Sequence, residues 1–240
     1  MKYLKYFEQA SEYEAFKVGD EYITPNVSYI EENAGVMFES VKPLTYNMVD
    51  LGLPSGTLWA DRNVGAISPE DAGLYFAWGE TNGYTIEQVL NKEKIFDSNY
   101  SDYFDTNDGG STFNKYNVAG ATLELSNDAA AVNMGSDWRM PTKSDCKELI
   151  NNTTIEMIDS NEIKGVKFIG KNNNNIFIPL DNSLIYDENN DPLYITNYCW
   201  TSSLFEYAPS IAYRMFLDHT VMVSNCPRYF GHNVRGVCNK

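Results

Sequence analysis

The chain has 240 residues, 43% of them hydrophobic and 14% aromatic, enough to bury roughly 70% of its unfolded surface without metal or disulfide support. Its 18 Lys and Arg against 33 Asp and Glu give a net charge of −15, which repels nucleic acid and anionic membranes, so neither is an expected partner. No segment approaches the roughly 18 apolar residues of a membrane span, and the opening MKYLKYFEQASEYEAF lacks the apolar run of a secretory signal. A chain made and folded in the cytoplasm, without membrane insertion, is the expectation.

Residues 1–45 read as a segment apart. Ser11 and Glu14 have capping-box spacing ahead of Tyr13, Phe16 and Lys17, and Gly19 suits the position just past a helix end, which predicts a helix of about two turns. Residues 23–30 (ITPNVSYI) and 36–41 (VMFESV) predict two strands of a hairpin across EENAG. So small a unit buries too little to stand alone, so it is expected to dock on something.

From Met48 the texture changes to short apolar segments broken by Gly, Asn, Asp and Ser, the pattern of strands joined by long surface loops. Ser126 and Asn127 can cap a helix over DAAAVNM before Gly135, and Thr142 with Asp145 resembles a capping box opening KSDCKELI after Pro141. KGVKFIG and NIFIPL flank Asn172, Asn173 and Asn174, which tolerate left-handed turns, so residues 164–180 predict a β-hairpin. In residues 212–218, Tyr213, Met215 and Leu217 alternate with Ala212, Arg214 and Phe216, and VMVS and HNVRGV extend an antiparallel set. The expected class is α+β, with antiparallel sheets, two short helices and long loops over residues 46–240, preceded by a small helix and hairpin.

Most catalytic chemistry is excluded by what the chain lacks. His219 and His232 stand outside HxH and HExxH spacing, so a three-histidine metal site cannot be assembled. No GxSxG elbow, GxGxxG or GxxxxGK[ST] occurs. Of two acidic loops with oxygen ligands at close spacing, residues 105–116 end in Tyr116 where an EF-hand needs glutamate, and residues 187–192 place Pro192 where it needs glycine. Cys146, Cys199, Cys226 and Cys238 form no CxxC pair; three pairings are open to them, and free thiols suit a reducing compartment. No enzyme, cofactor or metal is expected. The 17 Tyr, 12 Phe and 4 Trp serve either recognition surfaces or core plugs.

Six blocks occur in order: VDLGLPSGTLWADRNVGA from Val49, GLYFAWGE from Gly73, GSDWRMPTKSDCKELI from Gly135, NIFIPL from Asn175, YCWTSS from Tyr198 and GHNVRGV from Gly231. Together they resemble the FISUMP-type major paralogous domain, a branch of the C-type-lectin-like fold related to formylglycine-generating-enzyme-like domains, over about four fifths of the chain. Trp59 and Trp78 lie beside Ala or Gly, Trp138 and Trp200 within two residues of Ser, and all four read as plugs beneath close backbone. Pro141 ends a strand, Arg139 is expected to satisfy loop carbonyls or a carboxylate such as Asp137, and Arg235 reads as a structural arginine in a strand. The resemblance does not extend to calcium-dependent sugar binding, because Glu-Pro-Asn, Gln-Pro-Asp and Trp-Asn-Asp are all absent. Nor does it bring a catalytic cysteine pair or iron-binding histidine set; a divergent oxidase, using Cys199 or Cys226, is the remote alternative.

The N-terminal segment is similar to short leaders, with a PNVSY-like strand, of virion proteins of phages infecting gut bacteria. The resemblance implies a non-enzymatic virion protein, a capsid- or tail-attached fibre or decoration. Residues 1–45 would bind other virion proteins, the whole would form a homo-oligomer, and residues 46–240 would display a domain for a host-surface polysaccharide or protein. The alternative is a bacterial cell-surface or secreted binding module. The binding face is expected on loops between Trp200 and Arg235, with Phe205, Glu206, Tyr207, His219, Arg228 and Tyr229 as contacts. From Thr196 onward four cations stand against two carboxylates, and both histidines and bulky loop aromatics gather there.

Overall fold

The computed structural model describes residues 4–6, 16–18, 21–23, 37–39, 44–96, 115–160, 163–180, 195–218 and 220–239. The chain divides into two compact units, Met1–Thr45 and Tyr46–Lys240. In the first, β1 (Leu4–Tyr6) pairs antiparallel with β4 (Met37–Glu39), and β2 (Phe16–Val18) with β3 (Glu21–Ile23). The helix expected to run through Phe16 and Lys17 is therefore corrected to a strand. Val18 faces Glu21, and this close antiparallel pairing outweighs the weak helical spacing; Ser11, Tyr13 and Glu14 lie outside the described residues. The strand expected over 36–41 is present as β4, but its partner is β1; of residues 23–30 only Ile23 lies among the described residues.

The second unit is α+β, with strand outweighing helix. It is closed by its own ends: β5 (Met48–Asp50) pairs with β6 (Leu58–Ala60), and β6 with β14 (Val237–Cys238), so Trp59 is flanked by Val49 and Val237. The next three strands, β7 (Thr154–Asp159), β8 (Lys164–Ile169) and β9 (Asn175–Pro179), form an antiparallel meander. The β8–β9 hairpin forms as its asparagines predict. Asn173 takes φ +67, and Asn172 and Asn174 each donate from Nδ2 to the Asp50 carbonyl at 2.8 Å, tying the turn to β5. Gly170 permits that approach, since a Cβ there would lie 2.1 Å from the Leu51 carbonyl oxygen.

The central sheet has the order β12-β11-β10-β13, formed by β10 (Ile195–Leu204), β11 (Ile211–Leu217), β12 (Val221–Pro227) and β13 (Gly231–Asn233). The first three are antiparallel, and β12 follows β11 over seven unbroken pairs. β13 runs parallel to β10, and the HNVRGV segment is split between this sheet and the one containing β14. This corrects the single antiparallel set expected from alternation, which reports a face and not a partner.

Among the described residues three short α-helices fill the connections. α1 (Ile86–Leu90), which the pattern did not predict, opens on a Thr85–Gln88 capping box. α2 (Ala129–Met134) starts where expected, but its cap is Asp128 and not Ser126 or Asn127. Asp128 wins because its carboxylate accepts from Ala130 and Ala131 and also from the Met140 N–H, twelve residues on, at 2.9 and 2.8 Å. α3 (Lys143–Asn152) opens on the expected Thr142–Asp145 box. One core joins Leu51, Trp59, Leu149, Phe168, Ile178 and Met215; a second joins Phe76, Trp78, Met140, Trp200 and Val234.

Candidate functional site

The connection from β10 to β11 forms a tip. The Phe205 N–H donates to the Ile211 carbonyl at 2.9 Å, which closes the loop and turns Tyr207 outward with 82% of its surface exposed. The half-buried Phe205 ring meets Tyr207 and Tyr213 edge-on, with centroids 5.3 and 5.4 Å away. Beneath them Lys143, the first residue of α3, donates from Nζ to Glu206 Oε1 at 2.9 Å and to the Tyr213 hydroxyl at 2.6 Å, while Tyr213 donates to Glu206 Oε2. The Lys143 ammonium also lies 3.8 Å from the Tyr213 ring centroid. From a neighbouring turn Gly120 donates to the Phe205 carbonyl at 3.0 Å, and Val118 is exposed close by in sequence.

The charges at the tip lock one another. The Tyr213 hydrogen bond, with the Lys143 ammonium, holds the Glu206 carboxyl down at about 2. Lys143's own hydrogen bond to the Tyr213 hydroxyl raises Lys143, and burial with the Glu206 contact raises Tyr213. The carboxylate is thus ionised throughout the ordinary pH range and already paired. Tyr207, in contrast, projects free of the cluster.

Of the six residues expected on this face, Phe205, Glu206 and Tyr207 come together. His219 lies outside the described residues. Arg228 is a correction: only 1% exposed, it stacks 4.7 Å over Trp78 and donates to the carbonyls of Tyr116 at 3.3 Å and Pro209 at 3.1 Å. It pins the loop from inside, which desolvated guanidinium does well because its planar fork reaches several acceptors. Tyr229 is half-buried, packed with Tyr75, Ala77, Val89 and Phe96, and meets Phe230 edge-on. Lys143 and Tyr213, absent from the expected set, complete the cluster; they lie 63 and 7 residues from Glu206. The alternation that puts Tyr213 on one face with Met215 and Leu217 says nothing of its hydroxyl.

The residues expected to be structural are buried or bonded. Trp59, Trp78, Trp138 and Trp200 are at most 5% exposed. The Trp78 indole donates to the Thr201 carbonyl and the Trp200 indole to the Phe76 carbonyl, both at 2.8 Å, whereas Trp59 Nε1 is buried without a partner. Arg139 pairs with Asp145 at 2.7 Å, not with Asp137. Burial would raise Asp145, but Arg139 and the Thr142 contacts hold it below its usual value. The Pro141 carbonyl accepts from Ser202 at 2.8 Å. Arg235 lies between β13 and β14 and not in a strand; fully buried, it donates to Asn63 Oδ1 at 2.8 Å, to the Ala60 carbonyl at 3.0 Å and to the Phe177 carbonyl at 2.8 Å.

All four cysteines are free and buried. Burial pushes the thiols of Cys199 and Cys226 up to about 12, so neither presents a thiolate. Cys226 Sγ lies 3.2 Å from His232 Nε2; since Nδ1 of that ring donates to the Gly231 carbonyl, Nε2 is the acceptor, shared with Arg214 NH1 at 3.1 Å. Among the described residues no three His, Cys, Asp or Glu gather as a metal site, and no helix is long and apolar enough to cross a membrane. The acidic residues 105–114 and 187–192 lie outside the described residues. Two grooves of about 380 and 330 Å³ open elsewhere, one walled by Trp138 and Arg139 and the other by Leu74 and Ile86. Set beside known proteins, the chain matches no family, no curated protein and no solved structure.

Proposed function

We propose that this chain is a non-enzymatic phage virion protein whose second unit is a FISUMP-type, C-type-lectin-like domain displayed toward the host surface. The fold reading is supported by the way the resembling blocks hold one another. GLYFAWGE and YCWTSS exchange indole-to-carbonyl bonds through Trp78 and Trp200. GLYFAWGE also pairs with GHNVRGV through Phe76 and His232, and Arg139 of DWRMPT pairs with Val237. The segment most specific in sequence is therefore one bonded set, not scattered likenesses.

The binding role rests on one observation: Tyr207, 82% exposed, stands on a tip whose charges are already satisfied by Lys143, Glu206 and Tyr213. A rigid aromatic with a hydroxyl at its end gains contact area at low entropic cost, which suits a polysaccharide or protein ligand. A non-enzymatic role is supported by the burial of Cys199 and Cys226, whose thiols it pushes up to about 12, so that neither stands as an exposed thiolate for the divergent-oxidase reading. Residues 1–45 then attach to other virion proteins, and the assembled protein is a homo-oligomer made in the host cytoplasm. Mass spectrometry of purified particles tests this: the chain is expected among the virion proteins. Its recovery only from bacterial envelopes would instead support a cell-surface module.

A further inference from the structure

We infer that the open end of one face of the β10–β12 sheet is a second ligand site, separate from the Tyr207 tip, at which Arg214 takes the carboxylate of an acidic sugar. The argument begins with the five arginines. Arg62 pairs with Asp61 at 2.8 Å and Arg139 with Asp145 at 2.7 Å, while Arg228 and Arg235 are buried and donate to backbone carbonyls. Arg214 does neither. Its Nε donates to Ser224 Oγ at 3.2 Å and NH1 to His232 Nε2 at 3.1 Å, and both acceptors are uncharged. A guanidinium has five N–H donors, so three remain, and the NH2 nitrogen that carries two of them is not sealed from solvent. Thus in a chain with 33 carboxylates a half-buried arginine is held in place without an acid partner among the described residues.

The surroundings are preorganised. The guanidinium carbon lies 4.8 Å from the Tyr198 ring centroid and 5.6 Å from that of Phe216, and those two rings stack at 4.6 Å. On β12, Ser224 is opposite Arg214 and Met222 opposite Phe216; Tyr198 is buried in the first core and Phe216 is half-buried against it, so the apolar surface left beside the charge is Phe216 with Met222, which is 47% exposed. At the other end of this face Trp200, Ala212 and Cys226 are covered by the second core. One fixed fork beside an apolar shelf fits a single carboxylate carried on a ring that has an apolar face. A polyacidic peptide is the poorer fit, because it needs several cations and this face offers one guanidinium.

The test uses the full chain with d-glucuronate and d-galacturonate as probes, against glucose and galactose at constant ionic strength, followed by the side-chain Nε–Hε resonance of Arg214. Both uronates are expected to shift that resonance with saturation in the millimolar range, and the neutral sugars to leave it in place. Arg214→Met should weaken uronate binding at least fivefold, and Arg214→Lys should rescue it only partly, since the ammonium lacks the planar fork. An unmoved resonance in the unaltered protein, equal shifts with the neutral sugars, or tighter binding of a tetraglutamate peptide than of either uronate would each overturn the assignment. The resonance in the unaltered protein decides the matter even where the variants fold poorly, and none of these results depends on Tyr207.

Discussion

Two sets of charges in the second unit are built from similar side chains and differ in what surrounds them. In the interior, Arg235 and Asp128 are 0% and 1% exposed; Arg235, near the seam where the ends of the unit meet, donates to Asn63, Ala60 and Phe177, and Asp128 accepts from the N–H groups of Ala130, Ala131 and Met140. At the tip, Lys143 and Glu206 are paired at the surface and bond mainly to each other and to Tyr213. A buried charge must have its donors or acceptors matched or the fold fails; an exposed pair in water adds little to stability. The interior charges therefore hold the fold, while the tip serves to orient Tyr207.

The largest effect is expected at Arg235. Arg235→Met strands three buried oxygens, of Asn63, Ala60 and Phe177, and should cost about 3 kcal/mol or more in urea unfolding. Arg235→Lys should recover little, because one ammonium cannot span acceptors on three segments. A cost below about 1 kcal/mol for the methionine variant would break the contrast between interior and tip.

Asp128→Ala comes next, at about 2 kcal/mol, since it uncaps α2 and frees the buried Met140 N–H. Burial raises the Asp128 carboxyl despite its backbone bonds, whereas Asp145 is lowered, so the two respond to acid with opposite signs. A lowered carboxyl stabilises the fold above its unfolded value, near 3.9, and that contribution is lost as pH falls below it. A raised one destabilises the ionised fold, and that penalty is relieved as pH falls through its folded value. Acid unfolding of Asp145→Asn should be less steep below about pH 4 than that of the parent chain, and steeper unfolding would contradict the sign.

A smaller difference separates the tryptophans. Trp78→Phe removes a buried indole bond to the Thr201 carbonyl, while Trp59→Phe removes an indole nitrogen that has no partner. Both lose packing, so the Trp78 variant should be the less stable by about 1 kcal/mol. Equal losses in thermal unfolding would mean that the hydrogen bond contributes nothing net.

What could be read from the sequence follows the reach of each interaction. Thr142 and Asp145 are three residues apart, and the three asparagines are adjacent, so the helix start and the hairpin were legible locally. Asp128 was not, because Ser126, Asn127 and Asp128 are equivalent caps until Met140 folds back onto one of them. Arg228 looked like a contact because its loop is rich in aromatics, and only the approach of Trp78 and the carbonyls of Tyr116 and Pro209 shows it turned inward. Parallel pairing of β13 with β10 has no local signature either. At the candidate site the exposed aromatics were legible, and their supports, Lys143 and Tyr213, were not.

The smallest effect on stability, and the sharpest on function, is expected at Tyr207. With 82% of its surface in solvent, its side chain has little burial to lose, so Tyr207→Ala should leave Tm within about 1 °C of the parent. Joint replacement with Tyr229 would confuse the result, because Tyr229 packs against Tyr75, Val89 and Phe96. The single variant should nevertheless reduce host-cell adsorption, since a projecting aromatic anchor is worth about 2 kcal/mol or more at an interface. Glu206→Gln isolates the support from the anchor: it weakens the pairing with Lys143 and Tyr213 and frees the loop without removing the ring. Adsorption should then fall less than in Tyr207→Ala, while the titration of the Tyr213 hydroxyl, raised by burial and by Glu206, moves back toward its ordinary value. Normal adsorption by Tyr207→Ala at an unchanged Tm would place the ligand away from the tip.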